Sequence, residues 1–144
     1  MSMYALSISQ PWSWLIANGL KDIENRDWST SYRGWFLIHA GKKLDPACFD
    51  GNDLYSPALY EMGVGLDIMA LVPSTKQGYE TGGIVGYAKL VDVVMRSGSP
   101  WFKGRYGFVL CEARPLPFYP LKGALGFFEV SDEIVAAIKQ QKGA

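Results

Sequence analysis

Cysteine and histidine are nearly absent from the chain: its 144 residues hold only Cys48, Cys111 and the single His39. Residues so scattered form no Cys/His set with metal-ligand spacing, which argues against a structural zinc site, and no metal is expected. Two distant cysteines read as reduced, partly buried thiols of a cytosolic protein. Net charge is missing too. Lysine plus arginine and aspartate plus glutamate each total 14, so any pull on a polyanion must come from a local patch. No apolar run approaches the roughly 18 residues of a membrane span, and the N-terminus lacks the basic start and apolar core of a signal peptide. The expectation is a soluble, cytoplasmic protein that does not engage a membrane. There is no Walker loop and no dinucleotide fingerprint, because Gly82-Gly83-Ile84-Val85-Gly86 lies inside a strand pattern with no helix after it. No cofactor is expected.

Hydrophobic residues make up 49% of the chain, ample for one core at this length, so residues 1–144 are expected to form a single domain. Residues 3–9 alternate as a first strand, and residues 10–18 read as a short helix. Pro11 suits its first position, Ser9 and Gln10 can serve its free amides, and Gly19 suits its left-handed stop. Residues 22–28 alternate again, and residues 35–40 form an apolar run of central-strand length whose exit carries Lys42 and Lys43. Residues 45–71 read as two or three short helices broken by Gly51, Pro57 and Gly63. The polar stretch 73–83 reads as a loop and a candidate lid. A β-branched run over 82–95 has Gly86 inside it, where a strand glycine marks a bulge or a barrel bend. Residues 108–112 form a strand ending before Pro115, Pro117 and Pro120, and residues 125–130 form the last strand. Ser131 caps a C-terminal helix with Asp132 and Glu133 in its first turn, Lys139 and Lys142 near its end, and one apolar face of Ile134, Val135 and Ile138. The tally is an α+β fold of about six strands with flanking helices, built on a small barrel.

The most crowded stretch is residues 19–26, Gly19-Leu20-Lys21-Asp22-Ile23-Glu24-Asn25-Arg26, where charges of both signs lie between apolar segments. In an extended strand Glu24, Arg26 and Trp28 share one face and Ile23 and Asn25 take the other. Lys21 sits at the turn, from which its flexible stem can reach the same carboxylate. By itself this is either a charge network pinning a helix to a strand or a binding site.

Gly19-x-Lys21-x-x-Glu24-x-Arg26 resembles the GxKxxExR signature of ASCH domains, in the PUA-like superfamily of small β-barrels. Residues 6–12, Tyr32-Arg33-Gly34, Ile38-His39-Ala40, Lys42-Lys43, Gly82 to Gly86 and Arg105-Tyr106-Gly107-Phe108 are similar to further parts of the activating-signal-cointegrator type and its small bacterial relatives. The resemblance covers most of the chain. It implies a PUA-like barrel and a role with RNA or DNA, as a binding module, a ribonuclease, or a hydrolase of N4-acetylcytidine. In the deacetylating branch the motif lysine is thought to activate a threonine three residues on, with help from a distant carboxylate. Here that position is Glu24, which removes the proposed nucleophile.

The expected partner is therefore RNA, DNA or a nucleoside, held by Lys21, Glu24 and Arg26. Arginine offers a planar fork for phosphate or a base edge, lysine a point charge, and the carboxylate an acceptor for a base amino group. For catalysis Glu24 would be a base to water, Lys21 a proton donor and Arg26 a stabiliser of negative charge, with Ser9 and Lys21 as a weaker Ser/Lys pair. Proximity of Lys21 and Glu24 favours both charged forms, which suits binding better than an uncharged lysine base. Trp12 is either a base-stacking platform or core, and Tyr106 a platform or a plain strand residue. Arg33, Lys42, Lys43, Lys103 and Arg105 are the candidates for a phosphate track. His39, Trp14, Trp35 and Phe36 read as core.

Overall fold

The computed structural model describes residues 3–49 and 54–143; Gly51 and the side chain of Lys142 lie outside the described residues. Six strands, β1 (Met3–Gln10), β2 (Ile23–Arg26), β3 (Gly34–Leu44), β4 (Gly83–Val94), β5 (Tyr106–Pro120) and β6 (Phe127–Val130), form one mixed sheet in the order β2-β5-β4-β3-β1-β6. Only β1 and β3 run parallel. Four helices accompany them: α1 (Trp12–Ala17), α2 (Ser56–Glu61), α3 (Leu66–Met69) and α4 (Asp132–Gly143).

The expected closed barrel is corrected to an open sheet. β2 pairs only with β5 and β6 only with β1, so each leaves a free edge. Both edge strands are four residues long, and side chains rather than backbone meet across the seam. Phe108 and Phe127 stack with centroids 6.3 Å apart, and Trp28 stands edge-on to both. The inner face carries Leu6, Ile8, Phe36, Ile38, Leu90 and Phe108, and Ile16 and Ala17 of α1 plug it. Gly86 permits that plug: a Cβ there would come within 2.9 Å of Ala17 Cβ and 2.6 Å of the Arg114 carbonyl. A second cluster of Leu15, Ile23, Leu59 and Trp101 ties the α2–α3 insertion to α1, and α4 covers the outer face through Ile138 on Leu37 and Ala5.

Several sequence expectations shift. The strand over 22–28 is trimmed to Ile23–Arg26, with Asp27 and Trp28 in a bend. β3 continues to Leu44 because Gln10 of β1 still pairs with it there, so Lys42 and Lys43 lie inside the strand. β5 runs through Pro115, Pro117 and Pro120 instead of stopping before them. Its β2 partner ends opposite Val109, the Leu110 amide still donates to the Asp22 carbonyl at 2.9 Å, and past Leu110 no described strand pairs with its outer edge, where proline is tolerated. Trp35, expected in the core, is 41% exposed. It alternates with the fully buried Phe36 and points to the outer face, with Tyr87 edge-on and the Lys89 ammonium 5.6 Å from its ring. The 73–83 loop does not border the cleft described below. Tyr79 is buried and donates to the Pro73 carbonyl, and the Glu80 carbonyl accepts from Gln10 Nε2 at 2.9 Å. The one histidine is a buried, satisfied group: Nδ1 is 3.0 Å from Ser7 Oγ and Nε2 is 2.6 Å from the Leu121 carbonyl.

Candidate functional site

The site begins at the start of α1. Gln10 Oε1 accepts from the Trp14 amide at 2.8 Å, and at the other end Gly19 takes φ +76°. This lets the Leu20 and Lys21 amides turn back onto the Leu15 carbonyl at 2.9 and 3.1 Å. Lys21 is thereby aimed inward and is 5% exposed. Its ammonium donates to the Ile23 carbonyl and to Glu24 Oε1 at 3.5 Å, and lies 5.6 Å from the Trp12 ring and 6.0 Å from that of Trp101. Burial pushes the Lys21 pKa below the ordinary lysine value, and the Glu24 carboxylate only partly opposes it. The expectation that proximity alone favours the ammonium is corrected accordingly, because desolvation is the larger effect.

Glu24 and Arg26 share a face of β2, as alternation requires. Both Arg26 Nε and Nη2 reach Glu24 Oε2, at 3.0 and 2.9 Å, and with the Lys21 ammonium on Oε1 the carboxylate is engaged on both oxygens. Arg26 Nη2 also donates to the Ser7 carbonyl at 2.7 Å, and its guanidinium lies 5.7 Å from the Trp28 ring. The three charges form one connected, mostly buried network at the seam between β2 and β1.

The intervening residues of the same stretch hold the opposite wall. Asn25 donates to the Trp101 carbonyl at 2.8 Å and accepts from the Lys103 amide at 2.9 Å. The Leu20 carbonyl accepts from Trp101 Nε1 at 3.0 Å, and Asp22 Oδ1 accepts from Ser99 Oγ at 2.7 Å. The space enclosed is about 840 Å³, within the range of small-molecule sites.

Of the residues singled out from sequence, Ser9, Trp12, Lys21, Glu24, Arg26, Lys103 and Arg105 line this cleft. Trp12 is held by a 3.1 Å bond from Nε1 to Asp45 Oδ2. Arg33, Lys42, Lys43 and Tyr106 do not line it. Arg33 is spent on the Thr30 and Tyr32 carbonyls, and Tyr106 packs against the inner core with Arg105 over its ring at 5.5 Å. Arg33, Lys42 and Lys43 therefore do not join Lys103 and Arg105 along this cleft. Ser9 and Lys21 share no hydrogen bond. The sequence reading missed Ser7, Asp27, Trp28 and Trp101 as lining residues. The indole of Trp101 had only its neighbours Lys103 and Arg105 to mark it. Among the described residues no group of three or more His, Cys, Asp or Glu side chains is placed to hold a metal ion, and no described helix is long and apolar enough to cross a membrane.

Comparison with known proteins gives a consistent picture. The ASCH domain model matches residues 6–110. Activating signal cointegrator 1 of Homo sapiens is 32% identical over 89 residues, and that of Mus musculus 32% over 90. Each match covers 62% of this chain and only 14% of the relative's length. Among solved structures, the ASCH protein of Zymomonas mobilis superposes with a TM-score of 0.58 over 96% of this chain and 94% of that one, at 12% identity. A point variant of the same protein gives 0.58 over 97% and 98%. At such identity the likeness speaks for the fold alone.

Proposed function

The chain belongs to the ASCH domain family, and from that premise we propose that its cleft binds a nucleobase or nucleotide of RNA or DNA. The observation that supports this is the layering of the cleft. At its floor, Lys21, Glu24 and Arg26 are locked together; along its sides stand the indoles of Trp12, Trp28 and Trp101; at its margin lie Lys103 and Arg105. A base needs a flat apolar wall and a few fixed polar groups, and its phosphates need cations nearby. Both Glu24 oxygens are already engaged, so the carboxylate acts chiefly by fixing the two cations. Arg26 hydrogen-bonds through Nε and Nη2 among the described residues, which leaves Nη1 as one donor for a ligand beside those of Lys103 and Arg105. The indoles of Trp12 and Trp101 meet edge-on at 6.4 Å, and the Lys21 ammonium lies beside both, 5.6 and 6.0 Å from their rings.

The test is binding of mixed single-stranded RNA and DNA oligonucleotides to the purified chain, followed by anisotropy across a salt series. Affinity that falls linearly on a log–log plot supports the reading. An affinity that does not change with salt, or no binding at low salt, overturns it.

A second reading, a hydrolase of a modified nucleoside such as N4-acetylcytidine or of an RNA phosphodiester, is favoured by the burial of Lys21, which moves it toward the free amine that proton transfer uses. Incubation with both substrates and chromatography of the products tests it. Turnover that survives in both Lys21→Ala and Glu24→Ala would sink it.

A further inference from the structure

A second cavity, of about 290 Å³, lies between α4 and the outer face of the sheet and shares no lining residue with the cleft. Alternation along β3 turns Trp35 and Leu37 to that face, and Val135 and Ile138, three apart on α4, pack over it. The deep end is aliphatic: Leu37 and Ile138 are buried, with Leu116 and Val135 half-buried at the sides. The mouth is different, because the lining residues Trp35 and Lys139 are both exposed. Lys89 pairs with Trp35 across the β3–β4 ladder, and its ammonium 5.6 Å from that ring adds a second cation to the same rim. No acidic residue lines the cavity, and among the described residues neither lysine has a carboxylate within ion-pair distance. Cations without counter-ions at the rim of an apolar cavity complement an anion with an apolar tail: the head accepts from the ammonium groups while the chain exchanges water for the aliphatic walls. The volume is near the lower bound of small-molecule sites, which suits one short chain.

We propose that this cavity binds a medium-chain aliphatic monocarboxylate, with its chain against Leu37, Leu116 and Ile138 and its head at Lys89 and Lys139. The site stands apart from the Lys21, Glu24 and Arg26 network and does not rest on the nucleic-acid reading.

The probe is sodium octanoate titrated into the isotope-labelled full chain, with backbone amides followed by NMR. The expected result is saturable shifts at Leu37, Leu116 and the α4 turn from Val135 to Lys139, with the amides of Lys21, Glu24 and Arg26 unmoved. Octanoate should bind about tenfold more tightly than hexanoate, since two more methylenes leave water. Lys89→Gln and Lys139→Gln should each weaken octanoate about two- to fivefold, as for partly exposed ion pairs, and leave the binding of neutral octanol unchanged. Val135→Phe fills the cavity and should abolish both. Should Val135→Phe fail to fold, the two lysine variants decide the matter, because they alter only the rim. No saturable shift up to about 10 mM octanoate overturns the proposal. So does octanol binding as tightly as octanoate, or shifts at this face that follow protein concentration without any ligand, which would assign the face to a second copy of the chain.

Discussion

Arg26 of β2 donates to the carbonyl of Ser7 on β1 across 2.7 Å, although the two strands lie at nearly opposite ends of the sheet order. β6 pairs with β1 only as far as Leu6, so from Ser7 onward β1 has no strand on that side. The guanidinium takes the place of the missing neighbour. One side chain therefore joins the sheet across its seam, neutralises Glu24, and presents a free N–H to the cleft.

Removing that side chain should cost stability as well as binding. Arg26→Ala leaves the buried Glu24 carboxylate with only Lys21 and the Ser7 carbonyl without its donor. Breaking a buried pair on one side costs about 3 kcal/mol. Arg26→Lys, which keeps the charge and loses the fork, should fall between that and the unaltered chain. Urea unfolding of the three proteins checks the order; a loss below about 1 kcal/mol for Arg26→Ala would place the pair among weak surface contacts.

Lys21 predicts an unusual pH dependence. Its folded-state pKa is lowered from 10.5, chiefly by burial. Between the lowered value and 10.5 the unfolded chain binds the proton more tightly, so this residue's contribution to stability rises with pH across that window and is level below it. Lys21→Met retains the stem and removes the titration. The difference in unfolding free energy, original chain minus Lys21→Met, should therefore climb as pH rises toward 10.5. A difference that falls instead would mean that the Glu24 pair outweighs desolvation.

Much of this site was legible in the order of residues, because its first half is local. Gln10, Pro11 and Gly19 set the limits of α1, and the two-residue spacing of Glu24 and Arg26 puts them on one face whatever the rest of the chain does. The second wall was not legible, since the bond from Asn25 to the Trp101 carbonyl joins residues 76 apart and no periodicity reports such a pairing. The barrel expectation failed for a related reason. Strand patterns count strands, but closure depends on whether two four-residue edges reach each other, and here aromatic rings fill that gap. The prolines of β5 misled because their rule applies to a strand with partners on both sides.

Asn25 should behave as a clamp rather than as a ligand group. Asn25→Ala removes its part-buried bond to the Trp101 carbonyl and the exposed bond from the Lys103 amide, each worth about 0.5–1.5 kcal/mol. The Lys103 amide should then exchange its hydrogen markedly faster while amides of β3 and β4 keep their protection apart from the global loss. Exchange measured residue by residue separates the two cases, and uniform acceleration would deny the loop a local anchor.

The cationic margin gives the sharpest separation between the cleft and the rest of the surface. Lys103 and Arg105 line the cleft, whereas Arg33 is occupied by backbone carbonyls and Lys42 lies outside it on β3. A single strand releases about 0.7 of a counterion for each phosphate neutralised. Lys103→Ala and Arg105→Ala should each flatten the log–log salt slope of oligonucleotide binding by about that amount and weaken affinity alike across sequences. Arg33→Ala and Lys42→Ala should leave the slope unchanged. The reverse pattern would move the phosphate path away from the cleft and onto β3.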